Sequence, residues 1–330
     1  MIGMKVYKMT NCTKEYSAQL VEKYWEKEFN KIQAYDFPPT REFEITDKEC
    51  ANEVHNLETK DNNWKTASKL IIKYHKSLRY ANQNKCLSPY NFWQQIKKDP
   101  EKFKKFYENR LRCSDWFKEK NGQNEHFLHE GFVPLFIYGI GMTTSRKAGF
   151  VSYFKPSLAK KIIKQYLNEF NTIFDPCSGY SGRMMGSVAL GKDYIGQDVN
   201  DSSVKESLEI FDFMKKHLKN KSVQVNISVK DSLETTGDYD CLFTCPPYGD
   251  KEEWVDSSGR KITSDMSCDM WIEEFLKNYN CKRYVFVVDD ILDRYKPFVK
   301  EELVNTSHFG SNKEYIVVIN KDERDKLVNE

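Results

Sequence analysis

A chain of 330 residues exceeds one ordinary core, so two domains are the natural division, with a single large α/β unit as the alternative. Nine scattered cysteines, never spaced Cys-x-x-Cys, suit neither a disulfide framework nor structural zinc; without a bilayer-length apolar run or a leader-like N-terminus, the chain reads as cytoplasmic and not membrane-bound. The net charge of +2 hides a segregation, because Lys60 to Lys120 holds 16 Lys plus Arg against 6 Asp plus Glu.

Residues 1–130 read as a helical, charge-rich domain, with apolar residues at helical spacing along Ala18 to Trp25. Its basic part is interleaved with Trp64, Tyr74, Tyr80, Tyr90, Phe92, Trp93, Phe103, Phe106, Tyr107, Trp116 and Phe117. Each aromatic alone reads as core. The segment as a whole reads either as a solvated basic face over an aromatic interior or as a surface that holds a polyanion and stacks on bases. Residues 131–152, rich in glycine and hydroxyls and carrying Arg146 and Lys147, read as a linker loop. His126 and His129 are too isolated to suggest a metal, and none is expected.

From residue 153 to 330 a helix is expected after Lys155-Pro156-Ser157, and short apolar runs then alternate with helical stretches. Strands are predicted near Thr172 to Asp175, Tyr194 to Asp198, Val223 to Val229, Tyr239 to Thr244 and Tyr284 to Val288. Helices are predicted near Ser181 to Leu190, Ser202 to Leu218 and Asp269 to Asn278. Glu302 to Ser307 and Tyr315 to Ile319 read as a terminal hairpin, so an antiparallel strand is expected to close the sheet. The fold class is α/β: a Rossmann-like, mostly parallel sheet behind an N-terminal helical domain.

In such a sheet a ligand sits beyond the carboxyl ends of the strands. Asp175 ends the first strand and is followed by Gly179 and Gly182, which allow close backbone approach. Asp198, about twenty residues on, could accept two ribose hydroxyls, and Asp231 an adenine amino group. Thr244 and Cys245 end the fourth strand. The run Cys245-Pro246-Pro247-Tyr248 pairs two φ-fixed residues lacking backbone donors with an aromatic, a rigid platform for a flat ring whose carbonyls stay free to accept from an amino group. The plain alternatives are helix-capping aspartates, surface charges at Lys155 and Arg183, and an exposed loop at Asp256 to Lys261. That loop, with Trp254, could otherwise fold over a substrate.

On these residues, the chain from about Phe150 onward resembles the amino-group DNA methyltransferases, which use S-adenosylmethionine to methylate adenine N6 or cytosine N4. Asp175-Pro176-Cys177-Ser178-Gly179-Tyr180-Ser181-Gly182 resembles that family's cofactor loop, Asp-Pro-Phe-x-Gly-x-Gly-Gly, with Cys177 replacing the aromatic and Ser181 a glycine. Tyr153-Phe154-Lys155-Pro156-Ser157 is similar to the segment covering the methionine end of the cofactor, and Tyr194 to Asp198 to the ribose-binding strand. The catalytic tetrapeptide, Asp, Asn or Ser then Pro-Pro-aromatic, is matched by Cys245 to Tyr248, with a thiol at its first position.

The resemblance implies that the first side chain and the carbonyl of Pro246 accept the two amino hydrogens while Tyr248 stacks on a flipped base. A thiol is the weaker acceptor, but Thr244-Cys245-Pro246-Pro247-Tyr248 is close to the Thr-Ser-Pro-Pro-Tyr form of cytosine N4 enzymes, which favours cytosine slightly. Carbon-5 chemistry is disfavoured because no cysteine follows the catalytic prolines. DNA is the expected partner. RNA or a protein glutamine as substrate, and a catalytically silent nucleic-acid binder, are the rival readings. Transfer is expected to rest on positioning without a general base.

Overall fold

The computed structural model describes residues 11–34, 45–61, 68–83, 87–113, 153–249, 252–305 and 312–329. In chain order the elements are α1 (Asn11–Ile32), α2 (Asp47–Thr59), α3 (Lys69–Tyr74), β1 (Asn82–Gln83), α4 (Pro89–Lys98), α5 (Pro100–Cys113), α6 (Pro156–Tyr166), β2 (Thr172–Asp175), α7 (Gly182–Val188), β3 (Asp193–Asp198), α8 (Asp201–His217), β4 (Val225–Val229), β5 (Gly237–Thr244), β6 (Glu252–Val255), β7 (Lys261–Ile262), α9 (Cys268–Asn278), β8 (Tyr279–Val288), β9 (Val299–Asn305), β10 (Asn312–Asn320) and α10 (Lys321–Asn329). Among the described residues no helix is long and apolar enough to cross a membrane.

The chain divides into one unit of residues 1–43 and 86–150 and a second of 44–85 and 151–330. The expected N-terminal domain of residues 1–130 is therefore divided between the two units, and the linker at 131–152 lies wholly outside the described residues. So do His126, His129, Arg146, Lys147, Trp64, Trp116 and Phe117.

In the first unit α1, α4 and α5 gather around aromatics. Trp93, Phe103, Phe106 and Tyr107 are buried, with the Phe29 and Phe103 rings 5.4 Å apart and Phe103 stacked on Tyr107 at 6.0 Å. The interior reading of these rings is the one realised: burying such large apolar surfaces stabilises by roughly 1.5–3 kcal/mol each.

In the second unit a seven-stranded sheet runs β4-β3-β2-β5-β8-β10-β9. Pairs β2–β3, β3–β4, β2–β5 and β5–β8 are parallel, while β10 runs antiparallel to both β8 and β9. This is a doubly wound, Rossmann-like order with its reversal between β2 and β5. As expected, the terminal hairpin closes the sheet by antiparallel pairing: β10 lies inside against β8 and β9 forms the edge. Composition explains it, since Ile316, Val317, Val318 and Ile319 are all buried whereas β9 carries Lys300, Glu301 and Glu302, charges that suit an exposed edge.

Residues 45–83 pack on the same core as the sheet, through Ile45, Val54, Leu57, Leu70, Ile71 and Leu78. The capping box of Thr46 and Glu49 starts α2. Lys69 and Lys73 pair with Glu49 at 2.6 Å and Asp47 at 2.5 Å, so part of the basic surplus is neutralised here by an acidic helix.

Candidate active site

The site is built at the carboxyl edge of the sheet, where the loops after β2 and β5 leave adjacent parallel strands in register at Phe174 and Leu242. Asp175 was expected to touch a ligand, but it is fully buried. Its Oδ1 accepts from Thr244 Oγ1 at 2.8 Å and the Cys177 amide at 3.1 Å, and its Oδ2 from Arg183 Nε and Tyr194 Oη, both at 2.6 Å. A carboxylate that loses its water needs such donors, so Asp175 ties the two strand ends together. Thr244, also fully buried, belongs to this tie. Arg183 is no surface charge: it is buried, bonded to Asp175 and the Cys177 carbonyl, and its guanidinium lies 5.1 Å over the Phe154 ring.

The turn after β2 needs glycine at two places. Gly179 has φ +56°, and a Cβ there would meet nothing nearer than the Cys177 carbonyl at 3.8 Å, so open space lies beside it. At Gly182 a Cβ would fall 1.8 Å from the Phe154 carbonyl oxygen; the segment before α6 and the start of α7 can meet only over a glycine.

Ser181 adopts φ 66° and ψ −6° without being a glycine. Its hydroxyl donates to Ser207 Oγ and lies against His75 Nε2, each at 2.7 Å. His75 Nδ1 is 3.1 Å from Glu206 Oε2, and Glu206 also accepts from the Ser77 amide at 3.0 Å. Burial pushes the His75 ring toward its neutral form, against the pull of Glu206. Nothing local pointed to His75, Glu206 or Ser207, because their partners lie 26 to 131 residues away.

Asp198 is half-buried at the end of β3, accepting from the Gly179 amide at 2.8 Å and the Asn200 amide at 2.9 Å; burial nonetheless holds its pKa above the usual carboxylate value. A carboxylate has about four acceptor sites, so capacity for hydroxyl donors remains. Asp231 is exposed beyond β4, with Oδ1 taking the Leu233 amide at 2.9 Å. Ser178 Oγ and Tyr180 Oη are both buried in this loop with no hydrogen-bond partner among the described residues.

Pro156 opens α6, Phe154 meets Phe243 edge-on at 5.7 Å, and Ser157 follows half-buried. Lys155 is half-buried, its ammonium 4.1 Å over the Tyr153 ring and its pKa lowered by burial. Pro176 and Cys177 lie in the turn itself, Cys177 Sγ 3.9 Å from Ser232 Oγ. Open space at Gly179, an orphaned hydroxyl and a desolvated ammonium fit a ligand that brings hydroxyls and a carboxylate.

In the loop after β5, Pro246 is buried while Cys245, Pro247 and Tyr248 are half-buried. Cys245 Sγ lies 3.1 Å from Tyr248 Oη, which donates to Glu314 Oε1 on β10 at 2.9 Å. Burial pushes the Cys245, Tyr248 and Glu314 pKa values up. The stretch after this loop is neither a bare loop nor a free flap. Strands β6 and β7 pair with each other and β6 pairs with β1, while the Ser257 amide bonds Asp201 at 2.9 Å at the start of α8. Trp254 packs on the main core.

No family model matches the chain, and no curated protein matches it. Among solved structures, a Thermoplasma acidophilum protein has TM-score 0.35 and 16% identity over 50% of this chain and 88% of its own. Magnesium protoporphyrin IX methyltransferase from Synechocystis, with SAM bound, gives 0.35 and 10% over 49% and 77%. TrmK of M. capricolum, in complex with S-adenosylhomocysteine, gives 0.34 and 13% over 52% and 70%. Each is similar over about half of this chain.

Proposed function

We propose that this chain is an S-adenosylmethionine-dependent methyltransferase that modifies the exocyclic amine of a base in DNA, with cytosine N4 slightly favoured over adenine N6. The supporting observation is that the glycine turn and the Cys245 to Tyr248 loop leave neighbouring parallel strands whose ends are joined through Asp175 and Thr244. A donor and a planar acceptor would thus be served from one edge.

In this reading Asp198 accepts the ribose hydroxyls, Asp231 the adenine amine, and Lys155 the methionine carboxylate, with Phe154, Pro156 and Ser157 flanking it and Pro176, Cys177, Gly179, Ser181 and Gly182 forming the turn. Held there, the cofactor would supply an electrophilic sulfonium methyl group for the amine nitrogen, whose displaced proton would leave as the sulfur kept the S–C electron pair. Tyr248 stacks on the base, and Cys245 with the Pro246 carbonyl holds the amine. Orientation supplies most of the rate, since well-placed reactants gain about 7–11 kcal/mol of barrier lowering.

Incubation with tritiated cofactor and separate pools of mixed-sequence duplex DNA, single-stranded DNA and structured RNA tests the reading. Label is expected in DNA, as N4-methylcytosine on nucleoside mass spectrometry. Pro246→Ala and Tyr248→Ala should each abolish transfer while leaving cofactor affinity within about threefold, since in this reading both residues hold the base and not the cofactor. Unchanged transfer in both variants rejects the site assignment, and labelling confined to RNA rejects DNA.

A further inference from the structure

A thiol at the head of the catalytic tetrapeptide is a poor acceptor for an amine proton. Its surroundings compensate. The Tyr248 hydroxyl hydrogen is committed to Glu314 at 2.9 Å, which leaves the phenol oxygen to accept and the Cys245 thiol, at 3.1 Å, to donate. Glu314 comes from the one strand that runs against the sheet, opposite Leu303 of β9. The three groups form an unbroken hydrogen-bonded line from the head of the tetrapeptide to a carboxylate.

We propose that Glu314 is the terminal proton acceptor of the transfer, reached through Cys245 and Tyr248, and that this line is what allows a thiol to serve where the resembling enzymes carry Asp, Asn or Ser. The inference rests on the amine-methylation reading. As the nitrogen gains its methyl group, its proton passes to Cys245 Sγ, the thiol proton to Tyr248 Oη, and the phenolic proton to Glu314. Glu314 becomes a neutral acid and then loses the proton to solvent. The sulfonium charge and the carboxylate charge vanish together, and no further reactant is needed.

Burial and the nearby Asp289 hold the Glu314 carboxyl above its ordinary range; Arg183, Glu314 and Glu252 act on Cys245. Only ionised Glu314 can take the proton, so kcat should rise with pH through an acidic limb set by this group.

Two readouts test the line. In methyl transfer to the mixed-sequence DNA pool, Glu314→Gln and Tyr248→Phe should each lower kcat on the order of 10²-fold with KM nearly unchanged and remove the acidic limb, while Glu314→Asp recovers part of the rate. In the free enzyme, without cofactor or nucleic acid, iodoacetamide should alkylate Cys245 faster in Glu314→Gln, because a facing negative charge is gone; peptide mass spectrometry follows the site. An active wild type whose kcat, pH profile and Cys245 alkylation are all indifferent to Glu314→Gln overturns the relay alone. A wild type that methylates no nucleic acid overturns the methylation reading and the relay's role with it, even where alkylation responds.

Discussion

A side chain in left-handed backbone costs roughly 1–2 kcal/mol, and at Ser181 hydroxyl contacts with Ser207 and His75 offset that cost. His75→Ala would leave Ser181 and Glu206 facing a void, and denaturant unfolding should show a loss of about 2–4 kcal/mol. The pH dependence has a definite sign. Burial lowers the folded pKa of His75, whereas the unfolded ring takes its proton near pH 6.5, so this contribution is complete above about 6.5 and is lost as the pH falls toward the folded value. Thermal unfolding followed from neutral to mildly acidic pH should therefore steepen more in wild type than in His75→Gln; parallel curves would remove His75 from the account. At Gly182 the obstacle is steric: Gly182→Ala places a carbon 1.8 Å from a backbone oxygen and should cost about 3 kcal/mol together with most cofactor affinity, measured by calorimetry.

Among elements, α2 ends on a cation supplied from afar. Lys160 of α6 is buried and donates to the carbonyls of Leu57 at 2.5 Å, Glu58 at 3.2 Å and Lys60 at 2.8 Å, groups that a helix C-terminus cannot satisfy itself. Lys160→Met keeps the stem but strands these acceptors, and chemical denaturation should register about 2–4 kcal/mol of lost stability. The same contact shows what the sequence could not disclose. The strands from Thr172 to Thr244 were legible as short apolar runs between turn signals, β2 and the end of β5 being buried on both faces while β4 buries Ile227 alone. The first half of β8 was not, since Lys282 and Arg283 interrupt its alternation, and α10 was missed because none of its residues is buried. Residues 45–83 were grouped with the basic N-terminus by composition, whereas Lys160 with the end of α2, Tyr153 Oη with the Ser68 amide at 3.0 Å, and His75 with Ser181 assign them to the sheet unit. Those partners are 85 to 106 residues apart, beyond any local pattern. In the site, the glycine turn and the Cys-Pro-Pro-Tyr run were legible as motifs; the inward role of Asp175 was not, because a strand-end carboxylate has the same spelling whether it faces a ligand or an arginine.

For the whole molecule, the charge segregation seen in the sequence is partly cancelled where α2 meets α3, and the aromatics of α4 and α5 are spent on their own core. Among the described residues of α4 and α5, Lys98, Lys102 and Lys105 are exposed, Lys102 lying 3.6 Å from Asp99. If these lysines engage the proposed DNA substrate, their contact should be made to phosphates, tolerant of sequence and steep in salt, while base recognition falls to the Tyr248 platform. Each phosphate contact releases counterions worth about 0.9 in the slope of log affinity against log salt. Replacing Lys98, Lys102 and Lys105 together by Gln should flatten that slope by about 2.7 and weaken duplex binding on the order of tenfold or more at about 0.1 M salt, with filter binding across a potassium chloride series as the measurement. Cofactor affinity should stay at the wild-type value, since the residues assigned to it all lie in the second unit. An unchanged slope would mean that these lysines only solvate their helices, and that the target is held by the sheet unit alone.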